Sequence, residues 1–417
     1  MRSDGYFESP WPAEDGGAAR LQVPHGSAGL GLRSGEKLTC VARNTLLSTM
    51  TVLGQPGDVY LLTHSALRSH LGLPTTSCVE RIGATTLRTM ASSPRLPGGP
   101  MWPGGMAMHR NGDLYVVYGR FAHRLNSDCE LLSSLKLPIN EAYNSFVVLE
   151  NGLIITKNLS QTTPARLSVI DPQAMALACV DTDCPEPSIA RLSALGNTVY
   201  VVGVRSIFRY HWNDGLRRLV LDTGWRFAYL DNQDNSYGWD VVLDGGNAWF
   251  MDNGKHRYRY KMRGAGVHRT ANHLIRVSLS DARDHATLAV SGLAGGSITN
   301  PPVFDIRRQI VVAYDSANAF LKAWQFDMAT RAMVALWEKK DFGAASHMIL
   351  YPDTGELVVN DYRWLGEEVV VLQIETGVEL GRVRTGGLMQ GVVFPSAGWG
   401  RDFYWSSMGR LARVFVQ

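Results

Sequence analysis

Apolar residues along the chain fall in short runs of four to seven, divided by turns rich in Gly, Asn and Asp, and one arrangement recurs from beginning to end. In MAMHRNGDLYVVYG (106–119) two apolar runs flank Asn111, Gly112 and Asp113, and Gly with Asn supplies the positive φ that a tight strand-to-strand turn needs. The stretch therefore predicts a hairpin with a buried second strand. Seven further stretches follow the same plan, at 50–64, 147–158, 192–203, 241–253, 303–316, 348–362 and 392–407.

Two further short runs follow most copies, as in residues 166–170 and 177–180 around the turn Asp171-Pro172-Gln173-Ala174. Four strands repeated roughly every 45 residues predict an all-β chain folded as an eight-bladed β-propeller, with seven blades if one unit is misread. The last unit offers only three runs, so a strand at 37–42 is expected to supply its fourth and to close the ring without leaving unpaired edges. Residues 1–36, which have no period, read as an irregular arm, and 37–417 as one propeller domain.

Composition narrows the function classes. The chain has 417 residues, 45% apolar and 19% charged, with a formal charge of +3, too small to imply nucleic acid or an anionic membrane as partner. No run of 18 apolar residues and no signal-peptide core is present, so a cytoplasmic, non-membrane protein is expected. Five scattered cysteines make no disulfide framework; Cys40, Cys78, Cys129 and Cys179 fall in predicted strands as small core residues, and Cys184 in a loop.

Loops entering the inner strands and loops leaving the second strands share one face of a propeller, and here they are the longer ones. They bring Trp102, Tyr143, Asn144, Tyr237, Trp239, Asp240, Asn300, His347 and Gln390 towards the axis, with Asp361, Arg363 and Trp364 on a wider ring. Asn144, Asp240 and Asn300 make an oxygen-rich set suited to Ca²⁺, and the same groups would equally line a wet channel. His347 follows the flexible run Phe342 to Ser346 and is the candidate base, with Asp240 as its partner or a metal ligand and Tyr143 beside them. Asp240 could also pair with Asp252 or Asp361. Residues 254–269 interleave Lys255, Arg257, Arg259, Lys261, Arg263 and Arg269 with Tyr258 and Tyr260, which could clamp an anion or form a solvated hairpin.

The turns DPQAM, DMATRAMVALW and IETGVELGRVRTGG resemble the repeats of quinoprotein alcohol dehydrogenase-like propellers, a resemblance that covers nearly the whole chain and implies eight blades. Asn144, Asp240 and Asn300 also resemble, by position in the blade, the Ca²⁺ ligands of gluconolactonase-type propellers. Three functions follow as expectations. The first is a hydrolase, lyase or isomerase acting on an apolar or cyclic small molecule in the axial funnel, metal-assisted if the ligand set is real. The second is a non-catalytic propeller that binds a ligand or protein through the same face. The third is a quinone-dependent dehydrogenase.

Overall fold

The computed structural model describes residues 5–417, apart from 66, 67, 69, 70, 72, 231–233 and 365. Eight antiparallel sheets of at least four strands each form the eight blades of a propeller. In seven of them the strands follow chain order from the axis outwards. In the eighth, Leu38–Asn44 adds to the outer side of Arg410–Val416, pairing Leu38 with Val416 through Asn44 with Arg410. The expected closure is therefore present: both ends of the chain share one ladder, and that blade edge is covered.

The hairpin of residues 106–119 forms as its pattern demands. Gly105–Met108 pairs with Leu114–Tyr118, and between them Gly112 takes φ 88° while the Asn111 side chain accepts the Asp113 N–H at 3.1 Å. Large apolar residues fill the wedges between blades, as where Trp249 stacks on Phe304 with ring centroids 4.9 Å apart. All five cysteines are free. Cys129 lies in a turn at φ 64° and Cys179 in a bend, rather than in the expected strands, because the outer strands stop short of them; Cys129 and Cys184 are buried.

The arm is irregular in backbone but does not hang outside the ring. The inner strands present N–H and C=O groups to the axis with no further strand to pair with, and the arm answers them. Main-chain N–H groups of Leu53, Met108, Ala194, Leu243 and Leu350 donate to carbonyls of Trp11, Pro12, Ala18, Ala19 and Gln22 respectively, at 2.8–2.9 Å. Val148 N–H donates to Tyr6 Oη at 2.9 Å, and Gln22 Nε2 donates to Pro302 O at 2.8 Å. Seven blades are thus stitched to one segment. The arm then leaves the axis through Leu30, Gly31 and Leu32, whose N–H groups all donate to the Glu356 carboxylate at 2.8–2.9 Å. Tyr6, Trp11, Ala13, Ala18 and Leu30 are buried with it.

Candidate functional site: a charged centre on the axis

The helical turn Glu14–Gly16 sits where the inner strands converge. Asp15 and Arg20 hold positive φ (52° and 54°), a conformation uncommon for such side chains, and this aims both of them at the axis. Opposite them stand Arg191, Asp240 and His347, each placed just before an inner strand (Ser193–Leu195, Val242–Leu243 and Ile349–Tyr351).

Two guanidiniums organise the cluster. Arg20 donates to Asp15 Oδ2 at 2.8 Å, to Glu14 Oε2 and Ser145 Oγ at 2.9 Å, and to Leu192 O at 2.7 Å. Arg191 donates to Glu14 Oε1 at 3.0 Å and to Pro103 O at 2.9 Å, and its guanidinium lies 4.4 Å from the centre of the Phe394 ring. Glu14 therefore takes both cations. Among the described residues Asp240 accepts only the Arg191 main-chain N–H, at 2.7 Å through Oδ1, while its Oδ2 stays 3.9 Å from either guanidinium.

The remaining ligand atoms meet each other. His347 Nδ1 lies 2.8 Å from Asp15 Oδ1, an ion pair when the imidazole is protonated, and among the described residues His347 Nε2 has no hydrogen-bond partner. Asp15, Asp240 and His347 each offer one ligand atom, and these atoms all lie within 4.8 Å of one another; all three residues are buried. Burial pushes the Asp15 carboxyl up, but His347 and Arg20 outweigh it and hold it below the usual carboxylate range. Lys157, buried and donating to Ser188 O at 3.1 Å, is pushed down to about 8, chiefly by burial, against the Cys184 and Asp240 charges.

The expected residues scatter around this centre. His347 and Asp240 meet there. The carboxylate partner of Asp240 is Asp15, because Asp252 bonds His273 at 2.8 Å and Asp361 bonds Arg363 and Arg382 at 2.6 and 2.8 Å. Tyr143 is buried in the core with its Oη accepting the Ile139 N–H at 3.3 Å. Asn300 spends its amide N–H groups on Ala345 O and Val392 O, tying three blades together. The side chain of Asn144 lies outside the described residues. Trp102 stacks on Trp239 at 6.2 Å, and Tyr237 meets Trp239 edge-on. Arg363 and Trp364 are exposed. Asp15, Glu14 and Arg20 were missed because an aperiodic segment gives no register. The signal available was the pair Trp11 and Leu21 bracketing three charges, a composition that a solvated tail has no need of.

Both ends of the axis are covered. On the long-loop side, Met262 and Ala265 of the basic insertion are buried against Ala345, and Gln390 clamps the insertion through Met262 N–H and Tyr260 O at 2.7 and 2.8 Å. On the tight-turn side the arm leaves a hollow of about 570 Å³ whose walls include Asp15, Arg20, His25 and Glu150. This opening next to the centre lies on the face opposite the long loops, because the arm builds it.

Glu367, beneath the insertion, was also invisible in the sequence. Its Oε1 accepts N–H groups of Asn360, Gly391 and Trp405 at 3.0–3.1 Å, while its Oε2 is buried without a partner among the described residues. Burial pushes its carboxyl up to about 8, so it is neutral at pH 7. A carboxyl whose folded pKa is raised gives stability that is complete below the unfolded value and is lost as pH rises through the folded one. Between pH 5 and 8 stability should therefore fall, with a slope of up to about 1.4 kcal/mol per pH unit from this group. Glu367→Gln should flatten that slope in thermal melts across the range, and an unchanged slope would place the dependence elsewhere.

No family model matches the sequence, and no curated protein matches it. Among solved structures, the Dos1 propeller is similar at TM-score 0.58 and 7% identity over 91% of this chain and 95% of that one. The dihydro-heme d1 dehydrogenase NirN, in complex with DHE, is similar at 0.55 and 12% identity over 88% and 72%. Hydrazine synthase of Kuenenia stuttgartiensis is similar at 0.50 and 13% identity over 82% and 99%. At these identities the likeness shows the propeller fold alone. No helix among the described residues is long and apolar enough to cross a membrane.

Proposed function

We propose that the protein is a small-molecule enzyme, a hydrolase, lyase or isomerase, whose centre is a divalent metal ion held on the propeller axis by Asp15, Asp240 and His347. One observation carries this reading: buried ligand atoms of Asp15, Asp240 and His347 all lie within 4.8 Å of one another, with Asp15 Oδ1 and His347 Nδ1 at 2.8 Å. Two atoms so placed are spaced as neighbouring ligands of one ion, and His347 Nε2, without a partner among the described residues, is a buried polar atom of the kind that costs about 1–3 kcal/mol when left unpaired. An imidazole with two carboxylates suits a first-row ion such as Zn²⁺, Mn²⁺ or Fe²⁺ better than Ca²⁺, which takes oxygen ligands throughout.

An ion so held supplies Lewis acidity and a bound water acidified to about pH 7. The protein supplies the rest. Arg20 bonds Asp15 and Glu14, Arg191 bonds Glu14, and both guanidiniums stay 3.9 Å from Asp240 Oδ2, so they do not close it. The hollow next to Asp15 is large enough for a small organic substrate. Admission to the centre requires the arm to shift, so the segment that completes the ligand set also gates it.

Metal analysis of purified protein should find about one ion per chain. Co²⁺ reconstitution should give a visible d–d band that is absent from His347→Ala and Asp240→Asn, with metal affinity weakened about a hundredfold or more in both. Wild-type protein that takes up no Zn²⁺, Mn²⁺ or Co²⁺ sinks the metal centre. A loaded protein that turns over no ester, lactone, epoxide or hydroxy acid sinks the catalytic reading alone.

A further inference from the structure

The basic insertion is more than a cover for the axis. Residues 254–269 hold six Lys and Arg side chains and no acid, while the chain as a whole is only +3, so the remainder of the molecule is net negative. Positive charge is therefore concentrated in this loop. Within it Arg263 pairs with Asp341. Lys255, Arg257 and Arg259 are exposed and make no ion pair among the described residues, and Lys261 instead faces the Tyr260 ring at 5.5 Å.

The loop is held rigid. Arg257 N–H donates to Ala265 O at 2.8 Å, Gly264 N–H to Ala317 O at 2.9 Å, and Met262 is fully buried. Unpaired cations on a pre-formed loop keep their full charge for a partner and lose little entropy on binding one.

An apolar patch adjoins them. Tyr260 O accepts the Gln390 N–H, Leu388 lies two residues before Gln390, and Leu388 O accepts the Tyr362 hydroxyl at 2.6 Å, two residues before Trp364. Along this link Tyr260 is 40% exposed, Leu388 75% and Trp364 94%. Trp364 also holds φ 46°, a left-handed conformation that costs a bulky residue energy, and almost none of its side chain is buried in return. Tyr, Trp and Arg together are the residues that most often dominate protein interfaces.

We propose that Arg257, Arg259, Lys261, Tyr260, Leu388 and Trp364 form a docking surface for a short acidic segment of another protein, one that carries an apolar or aromatic residue among its carboxylates. Charge complementarity selects the acidic partner, and the exposed Trp364 and Leu388 take its apolar residue. A long polyanion such as nucleic acid is disfavoured, since it would extend from the loop onto a net-negative body.

The probe is a fluorescein-labelled dodecapeptide of Glu and Asp with one Leu and one Phe, titrated by anisotropy against the full chain. Comparison probes are its Lys-substituted counterpart, an all-Glu peptide and a dT₁₂ oligonucleotide. Binding in the micromolar range at low salt is expected, weakening about tenfold or more by 0.3 M salt as exposed charges are screened. The double variant Arg257→Glu, Arg259→Glu should weaken it by a further tenfold or more. Trp364→Ala should weaken it several-fold with the salt dependence retained, and should lower the preference over the all-Glu peptide. Circular dichroism melts of the variants should match wild type, since all three side chains are exposed. No binding at 100 µM peptide, equal binding by the charge-reversed variant, or stronger binding of dT₁₂ than of the peptide overturns the proposal.

Discussion

Deleting residues 1–30 is expected to abolish the cooperative thermal transition or lower its midpoint by 20 °C or more, about as much as deleting 1–42. On sequence grounds the two truncations should differ, because only the longer one removes the closing strand. The axis removes that difference. Without the arm, inner-strand N–H groups of Leu53, Met108, Val148, Ala194, Leu243 and Leu350 lose their acceptors in a narrow channel. Burial of Tyr6, Trp11 and Leu30, about 2 kcal/mol each, goes with them. Arg191 would lose its Glu14 partner, and Asp240 would lose the neighbouring Arg20 and Asp15. Scanning calorimetry of the two truncations against the full chain is the measurement, and a 1–30 deletion that melts within a few degrees of wild type would show the plug to be dispensable. A synthetic peptide of residues 5–30, added in excess, should restore part of the lost stability, since it binds the folded ring and not the unfolded chain.

The second large effect is expected at Arg20. Its guanidinium is 1% exposed and contacts Glu14 and Asp15 within 3 Å, with Asp240 at 3.9 Å. Arg20→Met removes the cation and leaves carboxylates buried without it, a change that costs about 3–5 kcal/mol. The sign with pH is fixed by Asp15, whose folded pKa is depressed. The stability it contributes is present above the unfolded value and is lost as pH falls through the folded one. The gap between Arg20→Met and wild type should therefore be widest near neutrality and narrow below pH 4 as the carboxylates protonate. Urea melts at pH 7 and pH 3.5 measure it. The double variant Glu14→Gln, Arg20→Met should recover part of the loss, because it removes one of the stranded charges together with the cation.

How far the centre was legible follows from what sets each residue's place. His347 and Asp240 could be brought together in advance because each occupies the same step of its own repeat, two residues before an inner strand, and rotational symmetry sends equivalent steps to one axis. The same rule proposed Asn144 and Asn300, and there it reached its limit. Symmetry brings a residue towards the axis, but side-chain hydrogen bonding decides what it does on arrival, and Asn300 turns to the carbonyls of Ala345 and Val392. Tyr143 likewise points into the wedge between blades, where its ring is buried. The elevated carboxyl of Glu367 comes from burial under the insertion, which outweighs three donors from separate segments that pull it down, and a linear pattern contains neither.

Local chemistry determined the strands, the hairpin turns, the count of eight and the shared closing ladder, because alternation, turn residues and repeat length act within a few dozen residues and each blade needs its neighbours to bury its faces. The path of the arm was decided only in three dimensions. No period marks residues 5–30, since they pass from blade to blade around the axis; what draws them inward is the ring of unsatisfied inner-edge groups that exists only after the propeller has closed. For that reason the ligand Asp15, more than 200 residues from Asp240 and more than 300 from His347, became part of the centre only through the tertiary structure.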